Sequence, residues 1–196
     1  MAAKPHAVTT ALLALALVGG VAFAGCGTGG GAKQPASFDG AAYPPGIAAP
    51  SFTLHDNQGH VVSLSDYRGK VVVLTFLSSD CRTCTLVAQQ IRGALDELSS
   101  PAGVGAIFVS TDPGADTPTH VARFLGSASL TGRAVFLTGS QQQLKAVWHS
   151  YRVTSGEDGI TVLLIDRAGV ERVGFGIEQI TPEGLSHDIR RLLLGG

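Results

Sequence analysis

The chain has 196 residues, of which 44 % are hydrophobic and 15 % charged, with a formal net charge of −1. That apolar content supports a packed core and excludes a chain disordered throughout. The near-neutral balance offers no electrostatic footprint for nucleic acid as a partner.

Residues 1–25 read as a targeting segment. "MAAKPHAVTT" carries one Lys and no acid, and "ALLALALVGGVAFAG" is apolar, small and broken by Gly, which suits a secretory signal better than a membrane span. Cys26 follows the small residues of "AFAG", and this ending resembles the bacterial lipoprotein signal. The resemblance implies that Cys26 is lipidated and becomes the mature N-terminus. Residues 26–47, rich in Gly, Ala and Pro without a period, read as a flexible tether, with one domain over 48–196. The expected location is the extracytoplasmic face of the bacterial cell membrane, where disulfides persist.

From residue 50 the pattern alternates. "SFTLHDNQGHVVSL" has two short runs around Asn57-Gln58-Gly59, which predicts a β-hairpin. "KVVVLTFL" (70–77) is a continuous apolar run rich in β-branched residues, predicting a strand buried on both faces. Val87, Ile91, Ala94 or Leu95, and Leu98 then recur at helical spacing. "VGAIFVST" (104–111) predicts a second buried strand, and Thr117-Pro118 opens a helix as cap and first turn. "AVFLTG" (134–139) reads as a strand, "SQQQLKAVWHSYRV" as a helix, and "TVLLID" and "ERVGFG" as two strands joined at Gly169. "TPEGLSHDIRRLLLG" closes the chain as a helix from Thr181-Pro182 to Gly195. Strands alternating with helices predict an α/β fold with a mostly parallel core and an antiparallel pair near the C-terminus.

Two of the three cysteines stand in "SSDCRTCT" (78–85), between a predicted strand and a predicted helix. The first turn of a helix carries unpaired N–H groups and partial positive charge. A thiolate at Cys81 is stabilised there, and Arg82 adds a cation, while Asp80 acts in the opposite sense. Cys84, one turn on, is within reach of a disulfide. An exposed nucleophile with a resolving partner is what thiol–disulfide exchange requires. As a structural staple the pair would close too short a loop to stabilise much. With no second CxxC and no nearby His pair, a four-ligand zinc site does not fit. The pattern therefore favours a dithiol that needs no cofactor, with a copper clamp through Cys81 and Cys84 and a thiol peroxidase as alternatives. Ser78-x-x-Cys81 matches the hydroxyl-x-x-Cys of peroxiredoxins, but Leu74 stands where they want Pro.

"APSFTLHDNQGHVVSLSDYRGKVVVLTFL", "FVSTDPGADTPTHVARFL" and "LLIDRAGVERVGFG" together resemble the SCO/SenC branch of the thioredoxin-fold superfamily, over about residues 48–194. The resemblance implies a thioredoxin-like α/β fold, with a central mixed sheet flanked by helices and an N-terminal β-hairpin. It implies a membrane-tethered protein that binds copper, or reduces a copper-site disulfide, while cytochrome oxidase is assembled. Its partner would be an extracytoplasmic protein with a disulfide or a copper site. Family members bear two Cys separated by three residues and a His before the "LID" strand. Here two residues separate Cys81 from Cys84, and Glu157 or Asp158 stands near the place of the His. Oxygen ligands match copper(I) poorly, which favours the dithiol. Ile160 stands where thioredoxin-like reductases place a cis-Pro, in agreement with the SCO/SenC branch. His55, His60, His120, His149 and His187 read as solvated surface residues. Trp148 and Tyr151 read as packing a helix onto the sheet, and Asp112, Asp116 and Thr117 as turn and cap residues.

Overall fold

The computed structural model describes residues 37–98, 101–153 and 161–195. Among the described residues, eight strands, β1 (Ala41–Ala42), β2 (Thr53–Asp56), β3 (Val61–Ser63), β4 (Val71–Leu77), β5 (Val104–Ser110), β6 (Ala134–Thr138), β7 (Thr161–Ile165) and β8 (Glu171–Gly176), form one sheet in the spatial order β1-β8-β7-β4-β5-β6-β2-β3. The central strand β4 (Val71–Leu77) has every residue buried. It runs parallel to β5 (Val104–Ser110), which runs parallel to β6 (Ala134–Thr138). On its other side β4 pairs antiparallel with β7 (Thr161–Ile165), which pairs antiparallel with β8 (Glu171–Gly176). The predicted hairpin is present: β2 (Thr53–Asp56) and β3 (Val61–Ser63) pair antiparallel, and β2 joins the sheet against β6. Gly59 has φ +88°, which makes a side chain there strained.

The period of two in the strands divides the core between the sheet's faces. On one face Val71, Val73 and Leu77 of β4 pack with Phe108 and Phe136, under helices α1 (Arg82–Glu97), α2 (Pro118–Ser127) and α4 (Pro182–Leu193). On the other, Val72, Leu74 and Phe76 pack with Ile107 and Val109, against α3 (Gln141–Ser150) and the hairpin's Phe52 and Leu54. A side chain such as Leu74, fully buried, contributes roughly 1.5–3 kcal/mol by leaving water. Tyr151 follows α3, packs its ring on Phe76 and donates its hydroxyl to the Pro50 carbonyl at 2.6 Å. Trp148 and Tyr151 thus pack this helix end as the sequence reading expects.

The expected tether boundary at residue 47 is corrected. The N–H groups of Asp39 and Gly40 donate to the buried carboxylate of Asp188 at 2.9 and 3.0 Å. Ala41–Ala42 form β1, paired antiparallel with β8. Tyr43 N donates to Arg172 O, and Glu171 N donates to Ile47 O. The segment supplies main-chain groups to these bonds, and Phe38 and Tyr43 pack their rings on the two faces of the core, so a Gly/Ala/Pro-rich stretch attaches without any side-chain period. At Gly40 an added Cβ would lie 2.5 Å from Val173, so the close approach requires glycine. Residues 1–36, including the signal segment and Cys26, lie outside the described residues. Among the described residues, no helix is long and apolar enough to cross a membrane.

Register shifts where β8 begins. Leu164 faces Val173, but Ile165 faces Glu171. The bulge at Arg172 turns Glu171 off the face of Val173 and Phe175 and onto that of Ile165, where its charge acts on Tyr43 and Tyr151. Burial pushes the Glu171 carboxyl above its ordinary value, while the charge of Arg152 acts in the opposite sense.

A candidate redox site at the start of the first helix

The central strand ends at Leu77, three residues connect, and Cys81 is the N-cap of α1. Its backbone is extended (φ −117°, ψ 123°), so the helix begins at Arg82. A cap normally offers side-chain oxygen to the free N–H groups of the first turn. Here the Cys81 sulfur takes that place and accepts the Cys84 N–H at 3.0 Å. Thr85 N donates to the Cys81 carbonyl, closing the first helical turn. The two sulfurs form a disulfide, with Cα atoms 5.1 Å apart. Cys81 is half-buried and Cys84 is 3 % exposed. An attacking thiol is therefore reached from solvent through Cys81 before Cys84. Asp80 and Arg82 flank it and are both exposed.

The loop after the neighbouring strand β5 completes the site. Thr111 N donates to Leu77 O, which joins the ends of the two strands. Asp112 accepts the N–H groups of Gly114 and Ala115, and Thr117 accepts His120 N, the turn and cap roles expected of them. Asp116 does something different. It is 3 % exposed. One carboxylate oxygen accepts Ser79 N at 2.6 Å and Ser78 Oγ at 3.3 Å; the other accepts Ser110 Oγ at 2.6 Å. Asp116 thus ties the loop before Cys81 to the end of β5. Sequence reasoning missed this role, because no period or spacing links residue 116 to residue 79.

The histidines do not gather at the cysteines. His55 and His149 are exposed. His60 Nδ1 lies 2.9 Å from Asp56, and His120 Nδ1 lies 2.9 Å from the Ala115 carbonyl. His187 departs from the expected solvated state: it is half-buried, with Nδ1 3.1 Å from Asp39 and 3.0 Å from Asp188. Among the described residues these three form the one group able to offer three metal ligands together. Glu157, Asp158 and Ile160 lie outside the described residues. For copper(I), two thiolates of reduced Cys81 and Cys84 are suitable soft donors. No described His or carboxylate joins them in a three-ligand group.

A dithiol capping the helix that follows the central strand of a mixed, helix-flanked sheet defines a thioredoxin-like protein. Within that class, the SCO1/SenC family model matches residues 41–168, and the chain belongs to the SCO1/SenC family. Bradyrhizobium japonicum ScoI, solved with copper bound, is 27 % identical, with a TM-score of 0.59 over 75 % of this chain and 99 % of that one. Apo Sco1 from Thermus thermophilus is 21 % identical and shares the fold, with a TM-score of 0.68 over 82 % of this chain and 99 % of that one. A Mycobacterium tuberculosis relative with a peroxiredoxin name is 32 % identical over 108 residues, 55 % of this chain. The matched stretch spans 64 % of that relative's length.

Proposed function

We propose that the chain is a thiol–disulfide oxidoreductase tethered through Cys26 to the extracytoplasmic face of the membrane, and that it reduces a disulfide in a partner protein. The observation that carries this reading is the Cys81–Cys84 disulfide at the N-cap of α1, with the Cys84 N–H directed at Cys81 sulfur. In the reduced protein the same N–H and the helix dipole favour a thiolate at Cys81. That thiolate attacks one sulfur of the partner's disulfide and forms a mixed disulfide, and the other partner sulfur leaves as a thiolate. Cys84 then loses its proton and attacks Cys81 sulfur. The Cys81–Cys84 disulfide forms, the second partner thiolate departs, and two electrons have passed to the partner. A dithiol donor must reduce the pair again. Membership of the SCO1/SenC family supports a partner whose cysteines form a copper site.

The decisive experiment is a trap. Cys84→Ser should accumulate a mixed disulfide through Cys81, and Cys81→Ser should accumulate little. If neither variant retains a partner, the dithiol reading fails.

A second reading, a copper carrier, is favoured by the copper-bound ScoI relative. Copper(I) would then be cargo held by the thiolates of Cys81 and Cys84. Stoichiometric copper(I) uptake by the reduced chain, weakened by changing a particular His, would put this reading first. The peroxidase reading gains a relative's name but loses its hydroxyl, since Ser78 Oγ is directed at Asp116.

A further inference from the structure

We propose that Asp116 is a positioning residue for Cys81: it holds the loop before the cysteine so that the sulfur stays on the N–H groups of α1. The inference rests on the dithiol reading and names a residue outside the CxxC on which its chemistry depends.

The connection from β4 to the helix cap is only Ser78, Ser79 and Asp80. Asp116 grips it at the middle through Ser79 N and at its start through Ser78 Oγ. Ser78 Oγ in turn accepts Asp80 N at 3.3 Å, which passes the restraint to the residue before Cys81. The anchor is itself fixed. Ser110 Oγ, fully buried, holds the second carboxylate oxygen, and Asp116 N donates to the Asp112 carbonyl at 2.9 Å.

Burying a carboxylate is costly unless hydrogen bonds compensate it. The cost is offset by the Ser79 N–H at 2.6 Å and by the Ser110 and Ser78 hydroxyls, so the bonds that make the burial tolerable are the same ones that grip the loop. The buried carboxylate thereby fixes where the loop delivers the Cys81 sulfur. Loss of that position weakens the contact with Cys84 N–H. The contact is stronger for a thiolate than for a disulfide sulfur, so its loss raises the free energy of the reduced form more than that of the oxidised one.

The sign of the effect separates position from charge. If Asp116 acts by position, its loss makes the Cys81–Cys84 couple harder to reduce. If it acts by its negative charge near the thiolate, its loss makes the couple easier to reduce. If it serves folding alone, stability falls and the couple does not move.

The test equilibrates the full chain against reduced and oxidised glutathione at fixed pH. The Cys81–Cys84 peptide is then quantified by mass spectrometry, with Asp80 and Arg82 intact in every variant. Asp116→Ala should lower the equilibrium constant for reduction about tenfold, a potential about 30 mV more negative. Asp116→Asn keeps an oxygen for Ser79 N–H and should stay within about threefold of the parent. Ser110→Ala removes one support of the anchor and should shift the couple in the same direction as Asp116→Ala, by less. An unmoved couple in folded Asp116→Ala, or an easier reduction in Asp116→Asn, overturns the proposal. Should Asp116→Ala not fold, an unmoved Ser110→Ala overturns it as well. The couple is read without a partner, so failure of the Cys84→Ser trap would sink the dithiol function and leave this measurement interpretable.

Discussion

The indole N–H of Trp148 donates to the carbonyl of Ser110 at 2.9 Å. Ser110 also donates its hydroxyl to Asp116, which accepts Ser79 N. The chain's single tryptophan thus stands three hydrogen bonds from the loop before Cys81, although its helix packs on the face opposite α1. Opening the disulfide in the full chain should change Trp148 emission in wavelength or intensity, and Cys81→Ser/Cys84→Ser should show no response to reductant. Superimposable spectra of the oxidised and reduced parent would mean that loop and indole are uncoupled.

Glu171 predicts an unusual pH dependence. Burial raises its carboxyl in the folded chain, against a smaller opposing effect of Arg152. A carboxyl raised by folding binds more protons in the native state than in the unfolded one, so its contribution to stability falls as pH rises through its folded value. Below the ordinary carboxyl range both states are protonated and the penalty vanishes. Glu171→Gln should therefore raise Tm at pH 7, with the gain shrinking toward pH 4. A gain that stays constant across this range would refute the role of ionisation.

Asp188 is the latch of the N-terminal segment. Asp188→Ala leaves Asp39 N and Gly40 N without their acceptor and removes one contact of His187. Asp39 is exposed and Gly40 half-buried, so water takes over part of the acceptor's role and the loss is about 1 kcal/mol. Amide exchange should accelerate first at Asp39, Gly40 and Tyr43, and protease should cut within residues 37–47 while the core survives. Unchanged exchange at these amides would show that the β1–β8 pairing holds the segment without the carboxylate.

The proposed membrane attachment turns on Cys26. If it is the lipidated residue, Cys26→Ser should move the protein from the membrane fraction to the soluble extracytoplasmic fraction. A variant that stays with the membrane would point instead to an uncut apolar segment as anchor.

Much of the fold was legible because its elements announce themselves locally. The run at 70–77 became β4, which begins one residue later and ends at the same place, and Thr117-Pro118 and Thr181-Pro182 opened helices as caps and first turns. The Asn57-Gln58-Gly59 turn placed the hairpin, and CxxC between strand and helix placed both sulfurs. What escaped depends on partners far along the chain. Asp188 meets Asp39 across 149 residues, and Asp116 meets Ser79 across 37. Both acids stand in stretches that read as ordinary polar helix or turn, and nothing local marks them as buried. The bulge at Arg172 is likewise a property of the pairing between two strands, invisible in either alone.

The two residues of β1 have a consequence for how this molecule keeps to itself. A bare outer margin on β8 would present a row of N–H and C=O groups ready to template another chain. Ala41–Ala42 and the Ala48–Val170 bridge occupy that margin, and the opposite margin is only the three residues of β3. A fragment begun at residue 48 would keep the dithiol, most of the core and Ala48, and still lose the β1 part of this cover. Its solubility, rather than its redox chemistry, would fail first, through margin-to-margin association that grows with concentration.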